Sequence, residues 1–364
     1  MCTPSRTKIG QNKITPKPKR GIITTKNTPH LTGTPLDTLA QLRKVPKIVG
    51  NGPQEATTSE AVKNLRKRAK SKHLTGALDV ELRKLEDSEL IKAYWNTYYC
   101  ASSIKQEGKK ITSRYCKNRW CLVCNRIRTA QLIKGYEAPL RELKNPQFVT
   151  LTRPTVPAEL LEQTIIEDTK AFRRILDRLR KRGHTLTGVR KLEATAPPDG
   201  KYHPHFHIIM EGEAEAHMLV REWLNEFPES KASAQDVQPA NDSTIKELMK
   251  YFTKIFSTKK NEDGTLQETD PQRLDVIFRA MQGKRVYQPF GRIKKQAPDV
   301  KEDIGELITE EIEELKEADT TYIWVRPAHD YININTGELL TGYTPTETDE
   351  KRIKSIRKLY NFGL

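Results

Sequence analysis

The chain has 364 residues and a mass of 41.8 kDa, which is long enough for about two or three domains. Lys and Arg number 63 against 47 Asp and Glu, so the formal net charge is +16, which favours a polyanionic partner, above all nucleic acid. The sequence has no apolar run of about 18 residues and no apolar signal-peptide core, which argues against a membrane protein. We therefore expect a soluble, cytoplasmic protein.

The N-terminal part of the sequence is strongly basic. The first 50 residues hold ten Lys or Arg and a single acid, Asp37, without sustained periodicity, so residues 1–58 are predicted to form a flexible basic arm. Residues 59–92 have helical spacing of apolar residues and begin a basic, Cys-rich region predicted over 59–135. Its segment NLRKRAKSKH is either a DNA-contacting surface or a solvated helix face.

Four of the five cysteines fall close together, at Cys100, Cys116, Cys121 and Cys124. A disulfide framework would spread its cysteines more widely, so this clustering favours a metal or reactive site. Four thiolates at these separations can close a tetrahedral Zn²⁺ site, and buried free thiols are the alternative. Basic residues surround the cluster and are candidates for contacts with DNA phosphates, namely Arg114, Lys117, Arg119, Arg126 and Arg128.

From residue 148 onward, strands and helices alternate. Phe148–Thr152 is a β-branched run stopped by Pro154, and a helix with one apolar stripe follows between about Ala158 and Arg182, where Gly183 ends it. The turn sequence APPDG separates two strands, Val189–Thr195 and the HFHIIME segment, which predicts a hairpin. We further expect helices at about 213–227, 243–257 and 271–282 and a short strand near Ala234–Ala240.

The hairpin carries a candidate metal site. Side chains two apart in a strand share a face, so His205 and His207 project together, and Glu193 on the partner strand can lie beside them. A carboxylate inside a sheet is costly unless a positive charge meets it. Two imidazoles and a carboxylate suit Mg²⁺ or Mn²⁺ bound mainly through substrate phosphate. The alternative is a set of hydrogen-bonded strand histidines, and His203 remains ambiguous as a further ligand.

The predicted helix at 243–257 has two distinct faces. Leu248, Met249, Phe252, Ile255 and Phe256 form its apolar side. Glu247, Tyr251 and Lys254, spaced i, i+4 and i+7, share a polar face. An ordinary surface tyrosine between an acid and a base is the alternative for Tyr251.

Three motifs in this order resemble the HUH-endonuclease superfamily, specifically single-tyrosine rolling-circle replication initiators of bacterial plasmids. They are the strand Thr150–Thr152, the HPHFH segment after Glu193, and the E-x-x-x-Y-x-x-K helix, and the resemblance covers roughly residues 95–295. These initiators also carry a similar Cys-Lys-x-Arg-x-Cys-x-x-Cys segment ahead of the first strand motif, which supports the Zn²⁺ hypothesis.

The resemblance implies an α+β catalytic domain with an antiparallel sheet and flanking helices at 136–295, preceded by the cysteine-rich zinc module. It implies that Tyr251 attacks a phosphodiester of plasmid origin DNA, duplex or single-stranded, while Glu193, His205 and His207 hold a divalent cation. A phenol with a pKa near 10 is a poor nucleophile at neutral pH, so it needs a metal-polarised phosphate and cationic help such as Lys254. Glu247 is placed to activate a water for a second cleavage.

Two other functions remain open on the sequence. A transposase or conjugative relaxase of the same superfamily would use the same phosphotyrosine chemistry, and a zinc-ribbon nucleic-acid-binding protein would use none. A replication initiator would also work with a host helicase and polymerase. Beyond the catalytic region, we expect residues 296–364 to form an acidic exposed helix and a basic tail.

Overall fold

The computed structural model describes residues 60–250, 255–256, 259–294, 307–311 and 315–360. The predicted basic arm at 1–58 lies outside them. The described part contains eight α-helices and ten strands in two five-stranded sheets, so the expectation of an α+β fold with antiparallel pairing is confirmed. None of its helices is long and apolar enough to cross a membrane.

The helices follow the amphipathic patterns of the sequence. Their bounds are α1 (Glu60–Leu82), α2 (Ile91–Tyr98), α3 (Leu122–Arg141), α4 (Ala158–Lys181), α5 (Glu213–Glu226), α6 (Asp242–Met249), α7 (Pro271–Ala280) and α8 (Glu347–Lys354). Helix α4 ends as predicted, because Gly183 adopts a φ of 88°, which L-residues rarely take. Side chains of Asn241 and Asp270 cap the first turns of α6 and α7.

The first sheet, here called the split sheet, takes its strands from two distant parts of the chain. Its members are β1 (Ser103–Gly108), β2 (Lys110–Arg114), β8 (Leu307–Glu311), β9 (Ala318–Val325) and β10 (Asp330–Asn333), in the order β10-β9-β1-β2-β8. Tyr331 is fully buried and donates a hydrogen bond from its hydroxyl to the carbonyl oxygen of Ala101, 2.8 Å away. The end of the chain therefore packs on the segment that leads into β1.

The predicted acidic helix is wrong at residues 307–311, which form β8. Strand β8 pairs antiparallel with β2, and in this register Glu311 lies opposite Lys110. The strand forms because β2 offers a pairing edge almost 200 residues earlier in the chain, which local helical spacing does not reveal. The split sheet thus joins the predicted regions 59–135 and 296–364.

The second sheet, here called the histidine sheet, positions the candidate site. Its strands are β3 (Pro146–Thr152), β4 (Gly188–Thr195), β5 (His203–Glu211), β6 (Asp236–Pro239) and β7 (Tyr287–Phe290), in the order β6-β3-β5-β4-β7. Strand β5 is central, and the predicted β4–β5 hairpin is confirmed. On one face Phe206 is buried against Phe172 of α4 and Trp223 of α5, which leaves the alternate side chains of β5 on the other face.

Helix α6 is shorter than predicted. It ends at Met249, and Lys250 has extended backbone with a ψ of 109°. Ile255 and Phe256 lie in a turn and a bend, so a helix to residue 257 is wrong. The capping box at Asn241 fixes where α6 begins, whereas no glycine or proline in the sequence marks its end. Tyr251 and Lys254 lie outside the described residues.

Candidate functional site

The two central strands of the histidine sheet bring Glu193, His205 and His207 together, and we call these three residues the His/Glu site. Glu193 lies directly opposite His205 across the β4–β5 pair. Its Oε2 is 3.4 Å from Nε2 of His205 and 3.6 Å from Nε2 of His207. The three candidate ligand atoms lie within 4.8 Å of one another, so the grouping expected from the alternation of strand side chains is present.

Hydrogen bonds on the far side of each imidazole turn its Nε2 toward the site. Nδ1 of His205 is 3.1 Å from the carbonyl oxygen of His203, which can only accept, so Nδ1 carries the proton and Nε2 keeps its lone pair. Nδ1 of His207 is 3.2 Å from the hydroxyl of Thr150 on β3. Partners of this kind orient metal-binding histidines. The first threonine of the TLT strand therefore supports the site directly.

His203 is turned away from the site. Its Nε2 is hydrogen-bonded to the hydroxyl of Thr152, and its ring stacks on that of His205 with centroids 5.1 Å apart. It is not among the three residues whose ligand atoms converge. His203 thus lies beside the three candidate ligands and packs against the His205 ring.

Lys191 is a site residue that sequence reasoning missed. It precedes Glu193 by two positions on β4 and therefore shares its face, and its Nζ is 2.6 Å from Oε1 of Glu193. Only 2% of the lysine side chain is exposed. One carboxylate oxygen thus meets an ammonium while the other faces the histidines. The available signal was a residue of opposite charge two positions before Glu193, on the same face of the strand.

The donor set of the His/Glu site fits a divalent cation. Ligands about 2.1–2.2 Å from one ion, at angles of roughly 90–110°, stand about 3.0–3.6 Å from each other. The two nitrogen–oxygen separations, 3.4 and 3.6 Å, fall in this range and exceed those of ordinary hydrogen bonds. Three protein ligands would leave positions open for water or substrate oxygens.

Helix α6 presents the acid predicted to assist catalysis. Glu247 is exposed and forms an ion pair with Lys250, three residues later. Helix α6 packs against α3 and against strand β5, which carries both site histidines. The structure therefore brings the helix to the strand of the His/Glu site, while Tyr251 and Lys254 follow it in the sequence.

The four clustered cysteines converge as predicted, and we call them the Cys cluster. Three pairs of sulfur atoms, Cys100–Cys124, Cys116–Cys124 and Cys100–Cys121, are each 3.6 Å apart. The backbone amide of Asn118 donates to Sγ of Cys116 over 3.4 Å. Lys117, between these two residues, adopts a φ of 60°, which turns the chain tightly enough for this contact.

The spacing of the Cys cluster fits zinc. Tetrahedral Zn²⁺ with bonds of about 2.3 Å to sulfur separates its ligands by about 3.8 Å. Burial raises the pKa of the Cys121 thiol, so a thiolate at this position needs a nearby positive charge. Lys72 of α1 is buried beside the cluster and donates from Nζ to the carbonyl oxygen of Cys100, and burial lowers its pKa. The four sulfurs can therefore hold a metal ion, although its identity is open.

The segment NLRKRAKSKH is partly exposed and partly buried. It therefore matches neither alternative in full, the solvated helix face or the DNA-contacting surface. Arg66 and Lys67 are exposed, whereas Arg68 and Lys72 are buried. This part of α1 lies against both the Cys cluster and the split sheet, because its residues Leu65 and Ala69 share an apolar cluster with Tyr331.

The residues predicted to contact DNA fall into two groups. Arg114 and Lys117 are exposed. The remaining three bond to backbone carbonyls: Arg119 donates to Met281 over 2.5 Å, Arg126 to Asn64 over 3.3 Å, and Arg128 to Asn118 over 3.2 Å. Arg128 is only 5% exposed, so the structure contradicts a DNA contact by this residue. Its guanidinium instead donates hydrogen bonds to backbone carbonyls in the loop of the Cys cluster.

Comparisons with known proteins agree with the predicted resemblance. Residues 108–218, which include the Cys cluster except Cys100 and all of the His/Glu site, match a family model described as replication protein. A curated protein named Protein rep from Staphylococcus aureus is 26% identical over 193 residues, covering 47% of this chain and 84% of that protein. Further Rep proteins come from Streptococcus pneumoniae serotype 2 (strain D39 / NCTC 7466), at 30% identity, and Lentilactobacillus hilgardii, at 28%.

The last two alignments each cover 26% of this chain and 32% of the relative. No solved structure gives a significant match. The family match and the relatives support a plasmid Rep replication initiator, so the resemblance predicted from the three motifs is confirmed at this level.

Proposed function

We propose that this replication protein nicks and rejoins DNA at a plasmid origin by single-tyrosine phosphodiester transfer of the HUH type. The observation that carries the proposal is the His/Glu site: two imidazole nitrogens and one carboxylate oxygen converge on neighbouring strands within the region that matches replication proteins. Mg²⁺ or Mn²⁺ at this site would polarise the scissile phosphate.

Tyr251 supplies the nucleophile in this proposal. Its phenolic oxygen forms a bond to phosphorus as the bond to the 3′-oxygen breaks, which gives a phosphotyrosine at the 5′ end and a free 3′-hydroxyl. Lys254 stabilises the phenolate, and Glu247 accepts a proton from the water that attacks phosphorus in the second cleavage, as the bond to the 3′-oxygen breaks. The free 3′-hydroxyl would prime synthesis by a host polymerase behind a host helicase.

Zn²⁺ in the Cys cluster has a structural role in this proposal. It would fix the loop that follows β2. The exposed side chains of Arg114, at the end of β2, and of Lys117, on the loop, can meet phosphates of the origin duplex. The cluster ties α2, the loop before α3 and α3 itself together, so its loss would disturb the surface presented to DNA.

A nicking assay tests this function. The protein is incubated with supercoiled plasmid from its natural host, with Mn²⁺ or with EDTA, and products are separated on a denaturing gel. We expect Mn²⁺-dependent nicking and a protein-linked strand with the natural sequence, and neither product with Tyr251→Phe. His205→Ala and His207→Ala should also suppress cleavage while leaving duplex affinity within a few-fold.

The tyrosine variant Tyr322→Phe is the matched control, because it makes the same chemical change on β9 of the split sheet, outside the proposed machinery, and should nick at the natural rate. Cleavage that persists in EDTA or in Tyr251→Phe would refute the proposal. Origin binding without any cleavage would instead support a non-catalytic zinc-ribbon protein, and cleavage confined to transposon ends or a transfer origin would support a transposase or relaxase.

A further inference from the structure

Exposed aromatic side chains in the described part of the chain are concentrated at two places. Trp95, Tyr98 and Tyr99 lie at the end of α2 and are 45%, 36% and 62% exposed, and Tyr360 near the C-terminus is 83% exposed. Most other large aromatic side chains of the described residues are buried in the cores. Grouped aromatic exposure of this kind is typical of a binding surface.

An arginine holds the α2 aromatics in place. The guanidinium of Arg83 lies 4.4 Å from the ring centroid of Trp95 and 4.2 Å from that of Tyr98. Asp79 fixes the same guanidinium through an ion pair of 3.1 Å. The ring of Tyr98 meets that of Tyr99 edge to face with centroids 5.0 Å apart. These contacts pre-organise a set of aromatic rings that remain partly exposed, with Arg83 covering one face of Trp95 and one face of Tyr98.

The residue after Arg83, Lys84, lines a cleft of about 1190 Å³ that also contains Tyr360. Five basic and two acidic side chains line this cleft. They are Lys84, Lys351, Lys354, Arg357 and Lys358 on the basic side, with Asp263 and Glu268 on the acidic side. Four of the basic side chains have acidic partners: Arg357 pairs with Glu268 and Asp270, Lys84 and Lys358 pair with Glu81, and Lys351 pairs with Glu347. Lys354 and Lys358 are exposed, and Lys358 is as far as 3.8 Å from Glu81, so these two lysines can turn toward a phosphate. The consecutive residues Arg83 and Lys84 therefore link the aromatic rings to the basic cleft, and we call the two together the aromatic–basic surface.

A chain of contacts leads from this surface to the His/Glu site. Arg357 of the cleft forms an ion pair with Asp270, which caps α7. Arg273 in the first turn of α7 donates to the carbonyl oxygen of Lys201 over 2.7 Å and lies over the ring of Tyr202. His203 begins β5 directly after this tip. The wall of the cleft is thus packed against the end of the hairpin that holds the metal ligands.

We propose that the aromatic–basic surface binds the single strand of DNA that is released at the origin, an inference that rests on the proposed function. Cationic grooves that follow the phosphates, combined with aromatic rings on which bases stack, bind single-stranded nucleic acid without sequence preference. Bases paired and stacked within a duplex do not offer their faces to such rings. The side chains of Tyr360, Trp95 and Tyr99 stack on bases, and Lys354 and Lys358 bind phosphates.

Fluorescence anisotropy with a labelled oligo(dT) strand of about 20 nucleotides tests this surface without any cleavage step. Tyr360→Ala and Trp95→Ala should each weaken binding by about 5- to 150-fold, which corresponds to the loss of one stacked base. The double variant Lys354→Ala/Lys358→Ala should lower the slope of log K against log salt by about 1.4, because two phosphate contacts to a single strand are lost.

Two control variants exclude general effects of lost charge or lost apolar surface. Lys170→Ala/Lys181→Ala removes two exposed lysines of α4, which lie outside the cleft, and Leu160→Ala removes an exposed apolar side chain of the same helix. Both should bind oligo(dT) as the natural protein does. Unchanged melting temperatures would show that every variant is folded.

Equal oligo(dT) binding by the aromatic variants and the natural protein would overturn the inference. An equal loss of affinity for duplex and single strand would overturn its single-strand assignment, and loss of self-association without loss of DNA binding would show a protein interface instead. Because the Tyr251→Phe variant keeps the aromatic–basic surface intact, we expect its affinity for oligo(dT) to equal that of the natural protein. Failure of the nicking mechanism and failure of this surface are therefore distinguishable.

Discussion

Lys191 binds one carboxylate oxygen of Glu193 and leaves the other oxygen facing the two histidines of the His/Glu site. The ammonium and the carboxylate are both largely buried, with 2% and 12% of their side chains exposed, so neither is compensated by bulk water. A divalent cation facing the other carboxylate oxygen would supply a second positive partner. Lys191 and a bound cation would therefore each contact one oxygen of the buried carboxylate.

We predict that Lys191→Met makes folding stability depend on the divalent cation. Leaving a buried charge without its ion-pair partner costs about 3–5 kcal/mol, so the variant should be strongly destabilised in EDTA. Added Mn²⁺ should stabilise the variant more than it stabilises the natural protein. Thermal unfolding with and without Mn²⁺ measures both effects.

The double variant Lys191→Met/Glu193→Gln is the control, because it removes both charges and should lose the Mn²⁺ response. An Mn²⁺-induced rise in melting temperature for Lys191→Met no larger than that of the natural protein would contradict the shared role.

The proposed role of Glu247 in the second cleavage can be tested with a single substitution. Its ion pair with Lys250 is exposed, with 58% and 52% of the two side chains accessible, so the pair itself stabilises the fold by no more than about 1 kcal/mol. If Glu247 activates the second cleavage, Glu247→Ala should nick and form the covalent adduct at natural rates. It should then accumulate multimeric single strands in a plasmid replication assay. Normal termination would leave Glu247 with the surface ion pair as its only role.

The residues of the His/Glu site could be predicted because their relation is local. Glu193, His205 and His207 belong to one hairpin, and a period of two places them on one face. Arg128 was assigned wrongly because its partner carbonyls come from a loop whose path depends on the Cys cluster. The sequence shows that Arg128 is charged, whereas its burial depends on how the chain folds around it.

At the scale of elements, the Cys cluster connects helices α1, α2 and α3. Cys100 follows α2, Cys121 caps the start of α3, and Lys72 reaches the cluster from α1. Burial raises the pKa of Cys121, so the thiolate form depends on a cation within the cluster.

Purified protein should therefore contain close to one Zn²⁺ per chain. Cys121→Ser should lose this metal and unfold at a lower temperature, because three sulfurs and a hydroxyl make a poorer zinc site. Cys2→Ser is the matched control, since Cys2 is separated from the cluster by almost 100 residues of sequence. Metal analysis by mass spectrometry checks both variants, and a zinc-free, well-folded natural preparation would contradict the zinc hypothesis.

Elements of the histidine sheet were predictable because helical and strand periods are properties of short segments. The split sheet was not, because β8 and β9 pair with strands about 200 residues earlier in the chain. An acidic segment with helical spacing becomes a strand when a distant edge offers backbone hydrogen bonds, which is tertiary context overriding local preference. The end of α6 at Met249 was missed because the apolar pattern continues beyond it.

At the scale of the whole molecule, the net charge of +16 is distributed over a protein with three separate candidate sites for DNA. The exposed residues around the Cys cluster can meet duplex phosphates, the His/Glu site can hold the scissile phosphate, and the aromatic–basic surface can hold a released strand. The proposed initiation reaction would use these three sites in succession. Loss of one site is therefore expected to leave DNA binding at the other two measurable.

The central claim is that Tyr251 becomes covalently joined to DNA. Trypsin cleaves after Lys250 and Lys254, so it releases the short peptide Tyr251-Phe252-Thr253-Lys254, in which Tyr251 is the only tyrosine. After incubation with origin DNA and Mn²⁺, nuclease and trypsin digestion followed by mass spectrometry should find this peptide carrying a 5′-linked nucleotide on its tyrosine. A nucleotide on a different tyrosine, or cleaved origin DNA without any adduct, would contradict the account.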